Sequence, residues 1–426
     1  MEIATAVLSD LFIMFVAAKI VGEIFERLRQ PAVIGELLVG VAIGPYALGL
    51  IGHPSGALLG AFPDSNAAVT VLNSIYSVIA ELGVIVLLFL VGLETRLSDI
   101  LRVGRRAGLV AVLGVIVPFV LGYVFISSLG RPTIEGLFVG TAMVATSVGI
   151  TARVLADLGQ IQQDDARIIL GAAVIDDILG RIALAVVAAL GAGGGISASE
   201  IGLIALQAIA FTVFVALAGR HAANRWSVHL ERLRIRNAPF VVAIVIMLGL
   251  AVLASKIGLA AIIGAFLAGM VFAELSEQYE LERQALPMYE LFVPLFFVIT
   301  GSHVDWRLFL DQSVMGIALA VTGLAILGKL IGCGAGAYGR GWRSIAIVGV
   351  GMAPRGEVGL IVANVGRSLD VIPDSMFSIV VIMSVLTTLV VPPVLTALYR
   401  GKGVNPVPVD INSIDFAKSD GRLPDL

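Results

Sequence analysis

The chain has 426 residues, of which 58% are hydrophobic and only 14% charged, and its mean hydropathy is +1.00. Soluble domains carry about 25% charged residues, so this composition excludes an ordinary soluble fold, and the lack of apolar/polar alternation excludes a closed β-barrel. A net charge of -3 gives no footprint for nucleic acid, and Cys333 as the sole cysteine excludes an internal disulfide.

Apolar stretches of about 20 residues, each enough to cross a hydrocarbon core, recur from end to end. They predict an all-α polytopic membrane protein with thirteen spans. Span 1 (4–24) opens on "MEIATAVLSDLF", which lacks a basic n-region and cleavage site and reads as a retained span. Its Asp10 and Lys19 lie near the ends and are expected to snorkel. Span 2 (32–51) holds "IGELLVGVAIG", and span 3 (68–93) holds Glu81 and "LLFLVGLETRL". Span 4 covers 107–128. Span 5 (134–158) carries Thr146, Ser147, Gly149 and Thr151 at its centre.

Span 6 (166–190) contains "AAVIDDILGRIAL", with Asp176, Asp177 and Arg181 in an apolar run. Spans 7 (200–219), 8 (238–254), 9 (257–274) and 10 (288–302) follow. Span 11 (314–337) holds Lys329. Span 12 (343–366) holds Gly349, Gly351, Pro354, Arg355, Gly356 and Glu357, and span 13 is 375–398. The stretch 401–426, with "NPVPVDINS", reads as a cytoplasmic tail.

Charge bias orients the spans. Seventeen Lys and Arg fall in or beside the loops that follow odd-numbered spans, with four more in the tail. Only Arg131, Lys256, Arg307 and Arg367 fall on the other side. This places the N-terminus outside and the C-terminus in the cytoplasm.

Two echoes suggest an internal repeat. "IGELLVGVAIG" in span 2 resembles "IGAFLAGMVFA" in span 9, and "LLFLVGLETRL" in span 3 resembles "LFFVITGSHVDWRL" in span 10. The offset of seven spans reverses the crossing direction, the pattern of inverted-topology repeats in secondary transporters. Spans 5 and 12 share that offset, and both have centres suited to unwinding. Pro354 removes a backbone donor, and unwound backbone at membrane depth is tolerated only beside protein or a water-filled cavity. For span 5 a second reading stands: its small residues permit close packing.

A charge at the bilayer centre costs roughly 2.5–3.5 kcal/mol on insertion scales. Asp176 and Asp177 point about 100° apart on a helix, so one can face a cavity while the other faces a neighbouring helix. Lys329 is the candidate partner of Asp176, either as a coupled titrating pair or as a static register pair. Arg181 lies one turn after Asp177 and either pairs with it or snorkels. Arg355, Glu357 and Glu81 read as structural charges, with Glu81 the candidate partner of Arg355. The four histidines, His53, His221, His229 and His303, are scattered without ligand spacing.

Taken in order, "PAVIGELLVGVAIGPYALGL", "ELGVIVLLFLVGLE", "ATSVGITARVLADLG", "AAVIDDILG", "LGKLIG" and "APRGEVGLIVA" resemble bacterial sodium/proton antiporters of the monovalent cation:proton antiporter 2 family, NapA-type. The resemblance runs over residues 10–398. It implies crossed broken helices at spans 5 and 12 and a homodimer in the cytoplasmic membrane. Spans 1–3 and 8–10 would form mainly a dimerisation scaffold, and spans 4–6 and 11–13 a moving core. It further implies that Asp177 binds the cation or proton, with Asp176, Thr146 and Ser147 beside it and Lys329 as charge partner.

The implied activity is electrogenic exchange of Na+ or Li+ for protons by alternating access, with no cofactor. Arg181 departs from the pattern, which leads one to expect an apolar residue there. The alternatives are a K+/H+ antiporter on the same scaffold and a sodium-coupled symporter of an organic solute. The symporter would require a larger polar cavity than the spans provide. A channel would require a continuous pore, and no nucleophile–base pair suggests an enzyme.

Overall fold

A computed structural model of the chain describes residues 2–53, 59, 65–193, 202–203, 205–215 and 237–400, with the side chains of residues 2, 3, 65, 97, 101 and 357 outside that description. The 401–426 tail and the basic residues between 216 and 236 therefore lie outside the described residues, as does the Glu357 side chain.

The described backbone is helical: α1 (Glu2–Arg27), α2 (Ala32–Ile43), α3 (Ser65–Leu93), α4 (Leu97–Ser128), α5 (Thr133–Val144), α6 (Val148–Asp157) and α7 (Asp164–Gly191). There follow α8 (Ala205–Val215), α9 (Ala238–Lys256), α10 (Ala261–Tyr279), α11 (Leu281–Ser302), α12 (Gln312–Gly336), α13 (Trp342–Gly351), α14 (Gly356–Ser368) and α15 (Asp374–Arg400). Helix is present in each of the thirteen expected spans. Among the described residues, nine helical stretches are by themselves long and apolar enough to cross a membrane. α7 is not one of them, because any eighteen-residue stretch of it includes Asp176, Asp177 and Arg181.

Several boundaries differ from expectation. α2 stops at Ile43, and the chain turns through Gly44–Gly52 instead of continuing as helix to 51. α4 begins at Leu97, ten residues before the apolar run, so Arg102, Arg105 and Arg106 sit in its first turns. α11 begins at Leu281. Polar first turns carry a helix beyond its apolar stretch, and hydropathy does not register them.

The helices form two packing groups. In one, α3 lies against α10 and α11, α2 against α1 and α11, and α9 against α10. In the other, α4 lies against α5, α7 and α12, and α12 against α13 and α15. Contact between the groups is lighter, chiefly α3 and α2 against α6 and α15.

The two sequence echoes meet at matching crossings. By the echo, Gly40 of α2 corresponds to Gly269 of α10, and Gly92 of α3 to Gly301 of α11. Gly40 abuts Gly301, where an added Cβ would lie 2.2 Å from the Val298 carbonyl oxygen. Gly92 abuts Gly269, where an added Cβ would lie 2.4 Å from the Phe266 carbonyl oxygen. Only glycine lets these backbones approach so closely, and small residues govern such crossings in membranes.

Candidate ion-binding site at the crossed broken helices

Span 5 is broken. α5 ends at Val144, Ala145 is extended (φ -57°, ψ 127°), and α6 restarts after Ser147 (φ -83°, ψ 98°). Span 12 is broken in the same way between Gly351 and Gly356. There Pro354 disfavours helix at the residue before it. The two gaps lie side by side: the Ser147 amide donates to the Pro354 carbonyl at 2.8 Å.

Each helix half leaves unpaired backbone groups at its end, and threonines of span 5 satisfy part of span 12's. Thr151 Oγ1 donates to the Gly351 carbonyl (2.6 Å), and Thr146 Oγ1 to the Met352 carbonyl (3.1 Å). Gly356 adopts φ +44°, and a Cβ there would fall 2.7 Å from Ser147 Oγ. Any other residue would push the crossing apart.

α7 runs beside the crossing and separates its two aspartates. Asp176 is 1% exposed and accepts from Lys329 Nζ at 2.7 Å, with Lys329 itself 0% exposed. Its second oxygen has no hydrogen-bond partner among the described residues. Asp177 is 14% exposed and accepts from Arg181 Nε at 2.9 Å, with Arg181 38% exposed. Its carboxylate also faces the backbone amide of Ala260. Arg181 therefore pairs with Asp177 and does not snorkel away, and its Nη1 donates to the Gly258 carbonyl at 3.0 Å.

Asp177 and Arg181 line a cavity of about 1000 Å³ together with Thr146, Glu81, Asn364 and Thr300. The cavity also borders His303, Asp305, Arg367 and Asp374, at the face where basic residues are few. Asp176 and Lys329 do not line it.

The expected Arg355–Glu81 pair is not formed. Arg355 is fully buried and donates to the carbonyls of Ala325 (3.1 Å) and Met352 (3.4 Å), while Thr387 Oγ1 accepts from its backbone amide (3.3 Å). The carboxylate whose charge it feels is Asp176. Glu81 instead stands exposed in the cavity wall. The break at 352–355 turns Arg355 inward, where the Met352 carbonyl at the break and the Ala325 carbonyl of the neighbouring α12 accept its protons. Regular helical spacing does not predict this orientation.

Two sets of contacts were not legible in the sequence. Lys19 pairs with Glu290 of α11, and Tyr76 of α3 donates to Asp10. On the basic-rich side, Arg153 of α6 sits buried between groups. It contacts Glu36 of α2 (3.6 Å) and Asp157 (3.0 Å), and its guanidinium lies 4.8 Å from the centre of the Tyr289 ring of α11. Tyr289 donates to Asp157 at 3.4 Å. None of these four residues lines the cavity. A buried arginine so near a span end reads as a loop charge from sequence alone; the signal that distinguishes it is Glu36 in an apolar run.

Residues 11–401 match the family model described as "Sodium/hydrogen exchanger, transmembrane". The chain is 37% identical to the high-affinity Na(+)/H(+) antiporter NhaS3 of Synechocystis, over 94% of this chain and 91% of that protein. It is 35% identical to the Na(+)/H(+)-K(+) antiporter GerN of Bacillus cereus, over 92% and 95%. It is 33% identical to a Na(+)/H(+) antiporter of Enterococcus hirae, over 90% and 96%. Its fold matches the sodium proton antiporter MjNhaP1 of Methanocaldococcus jannaschii with a TM-score of 0.63, at 18% identity, covering 94% of this chain and 98% of that one.

Proposed function

The chain belongs to the sodium/hydrogen exchanger transmembrane family, and from that premise we propose that it exchanges Na+, with Li+ on the same site, for protons by alternating access. Asp177 is the carboxylate at which the two cargoes compete. The observation that carries this is its position: a carboxylate in the wall of a cavity that Thr146 and Val148 at the break of span 5 and Val358 just past the break of span 12 also line. Arg181 supplies the positive charge on this carboxylate, and a proton or a small cation can take its place, but not both at the same time. Thr146, which lines the same cavity, adds a hydroxyl near the carboxylate, and Ser147 fixes the crossing.

The geometry also fits a two-group carrier. The α1–α3 and α9–α11 group serves as scaffold and dimer platform in the cytoplasmic membrane. The α4–α7 and α12–α15 group carries the site. The cavity mouth lies on the basic-poor face, which the charge bias assigns to the outside, and the Arg153 cluster closes the inner side. Asp176 and Lys329 sit directly behind the site, where the charge of Asp176 acts on Asp177. We assign the second transferred charge, and so the electrogenic character, to this pair.

The test is cation-driven ΔpH in proteoliposomes with Na+, Li+ and K+ compared. Wild type responds to Na+ and Li+, and Asp177→Asn falls to the background of empty liposomes. Undiminished exchange by Asp177→Asn removes the assignment. A K+ response equal to Na+ would favour the broader cargo range named for GerN.

A further inference from the structure

Arg181 has no task in the exchange just described, yet it holds the carboxylate on which that exchange turns. It sits four residues after Asp177, on the same helix face, and bonds it at 2.9 Å. Its other arm crosses to the opposite packing group and bonds the Gly258 carbonyl at 3.0 Å. Gly258 belongs to the short link between α9 and α10, with φ +81°. Ala260, the N-cap of α10, directs its amide at Asp177 from the same link. A planar guanidinium can hold a carboxylate and a carbonyl in two directions at once, which a lysine ammonium on its flexible stem does less well.

We propose that Arg181 is a tethered stand-in for the transported cation: in the empty site its guanidinium occupies Asp177 and bolts α7 to the 257–260 link, and an arriving cation must displace it, releasing the bolt. The inference rests on the reading of Asp177 as the cargo carboxylate. Its physical basis is a conflict of charge. A cation entering from the cavity meets a carboxylate already matched by a guanidinium, and two positive charges on one carboxylate repel. Arg181 is 38% exposed and lines the cavity, so water is at hand to receive it when it swings away.

The bolt also serves coupling. A carboxylate neutralised by its own arginine could cross empty, which would let a cation move without a counter-moving proton. The bond to Gly258 opposes that step, because the neutralised form is also the form tied to the scaffold. Binding of a real cargo removes both the guanidinium and the tie.

The test uses the full chain in proteoliposomes with Arg181→Leu, Arg181→Lys and Asp177→Asn, each checked for a monodisperse elution profile. Arg181→Leu lowers the KM for Na+ by up to about fivefold, the upper end expected for a partly exposed ion pair in competition. Arg181→Lys keeps the charge and returns the KM toward wild type. In unmodified protein, hydrogen exchange across 257–260 quickens when Na+ is added, a readout that needs no variant to fold. An unchanged KM in Arg181→Leu, or exchange at 257–260 insensitive to Na+, overturns the inference. Those results with an inactive Asp177→Asn leave the cargo site standing, whereas an active Asp177→Asn overturns the site itself.

Discussion

Asp176 and Asp177 are neighbours on one helix at one depth, yet the fold gives them opposite surroundings. Asp176 turns inward to Lys329, and both are sealed from the cavity. Asp177 turns to the cavity and takes Arg181, a partner that water reaches. Removing one member of a buried ion pair leaves a stranded charge and is costly, while a partly exposed pair contributes little. Asp176 thus reads as the carboxylate that cannot be removed without stranding a buried charge, and Asp177 as the one that can exchange its partner.

This contrast can be broken most sharply at the two aspartates. Asp177→Asn should abolish exchange while changing unfolding free energy by less than about 1 kcal/mol. Asp176→Asn should destabilise by about 3–5 kcal/mol, because Lys329 is left buried without a counter-charge. Denaturant or thermal unfolding in detergent reads both, and equal stability losses would erase the distinction. Lys329→Gln tests whether the sealed pair also carries charge: transport should become electroneutral or slow. Unchanged current per cation in a membrane-potential assay would count against it.

A smaller effect is expected at the Arg153 cluster, which ties α6 to α2 and α11 as Arg181 ties α7 to the α9–α10 link. Arg153→Gln strands Glu36 and should quicken hydrogen exchange in 32–43 and 148–157. No change there would mean the cluster does not hold the groups together. The smallest effect belongs to His303 at the cavity border, outside the spans. Desolvation by burial holds its pKa below the ordinary value, so the ring is neutral at pH 7–8 and gains charge only as pH falls below that depressed value. His303→Gln should shift the KM for Na+ by less than about twofold at pH 7–8, and a larger shift would give the ring an electrostatic role.

The main architecture was readable because it follows from local chemistry. Apolar runs indicate the helices, Pro354 and its glycines indicate one break, and three charges in an apolar run indicate the candidate site. The echo between spans 2 and 9 pointed to glycines that meet across the fold. The partners of Glu36 and Arg153 were not readable, since three helices distant in sequence bring them together. The sequence suggests Glu81 as the partner of Arg355, but the Met352 carbonyl at the break and the Ala325 carbonyl of α12 accept its protons instead. The second bond of Arg181 depends on where a loop carbonyl lies, and no periodicity encodes that.

Competition for one carboxylate has a direct kinetic signature, the dependence of the sodium KM on pH at saturating turnover. If a single proton and a sodium ion exclude each other at Asp177, the KM rises by about tenfold for each pH unit on the acid side, while the maximal rate at saturating Na+ holds. A KM that stays flat across that range while the maximal rate falls would mean that proton and cation do not share a site, and would contradict the account.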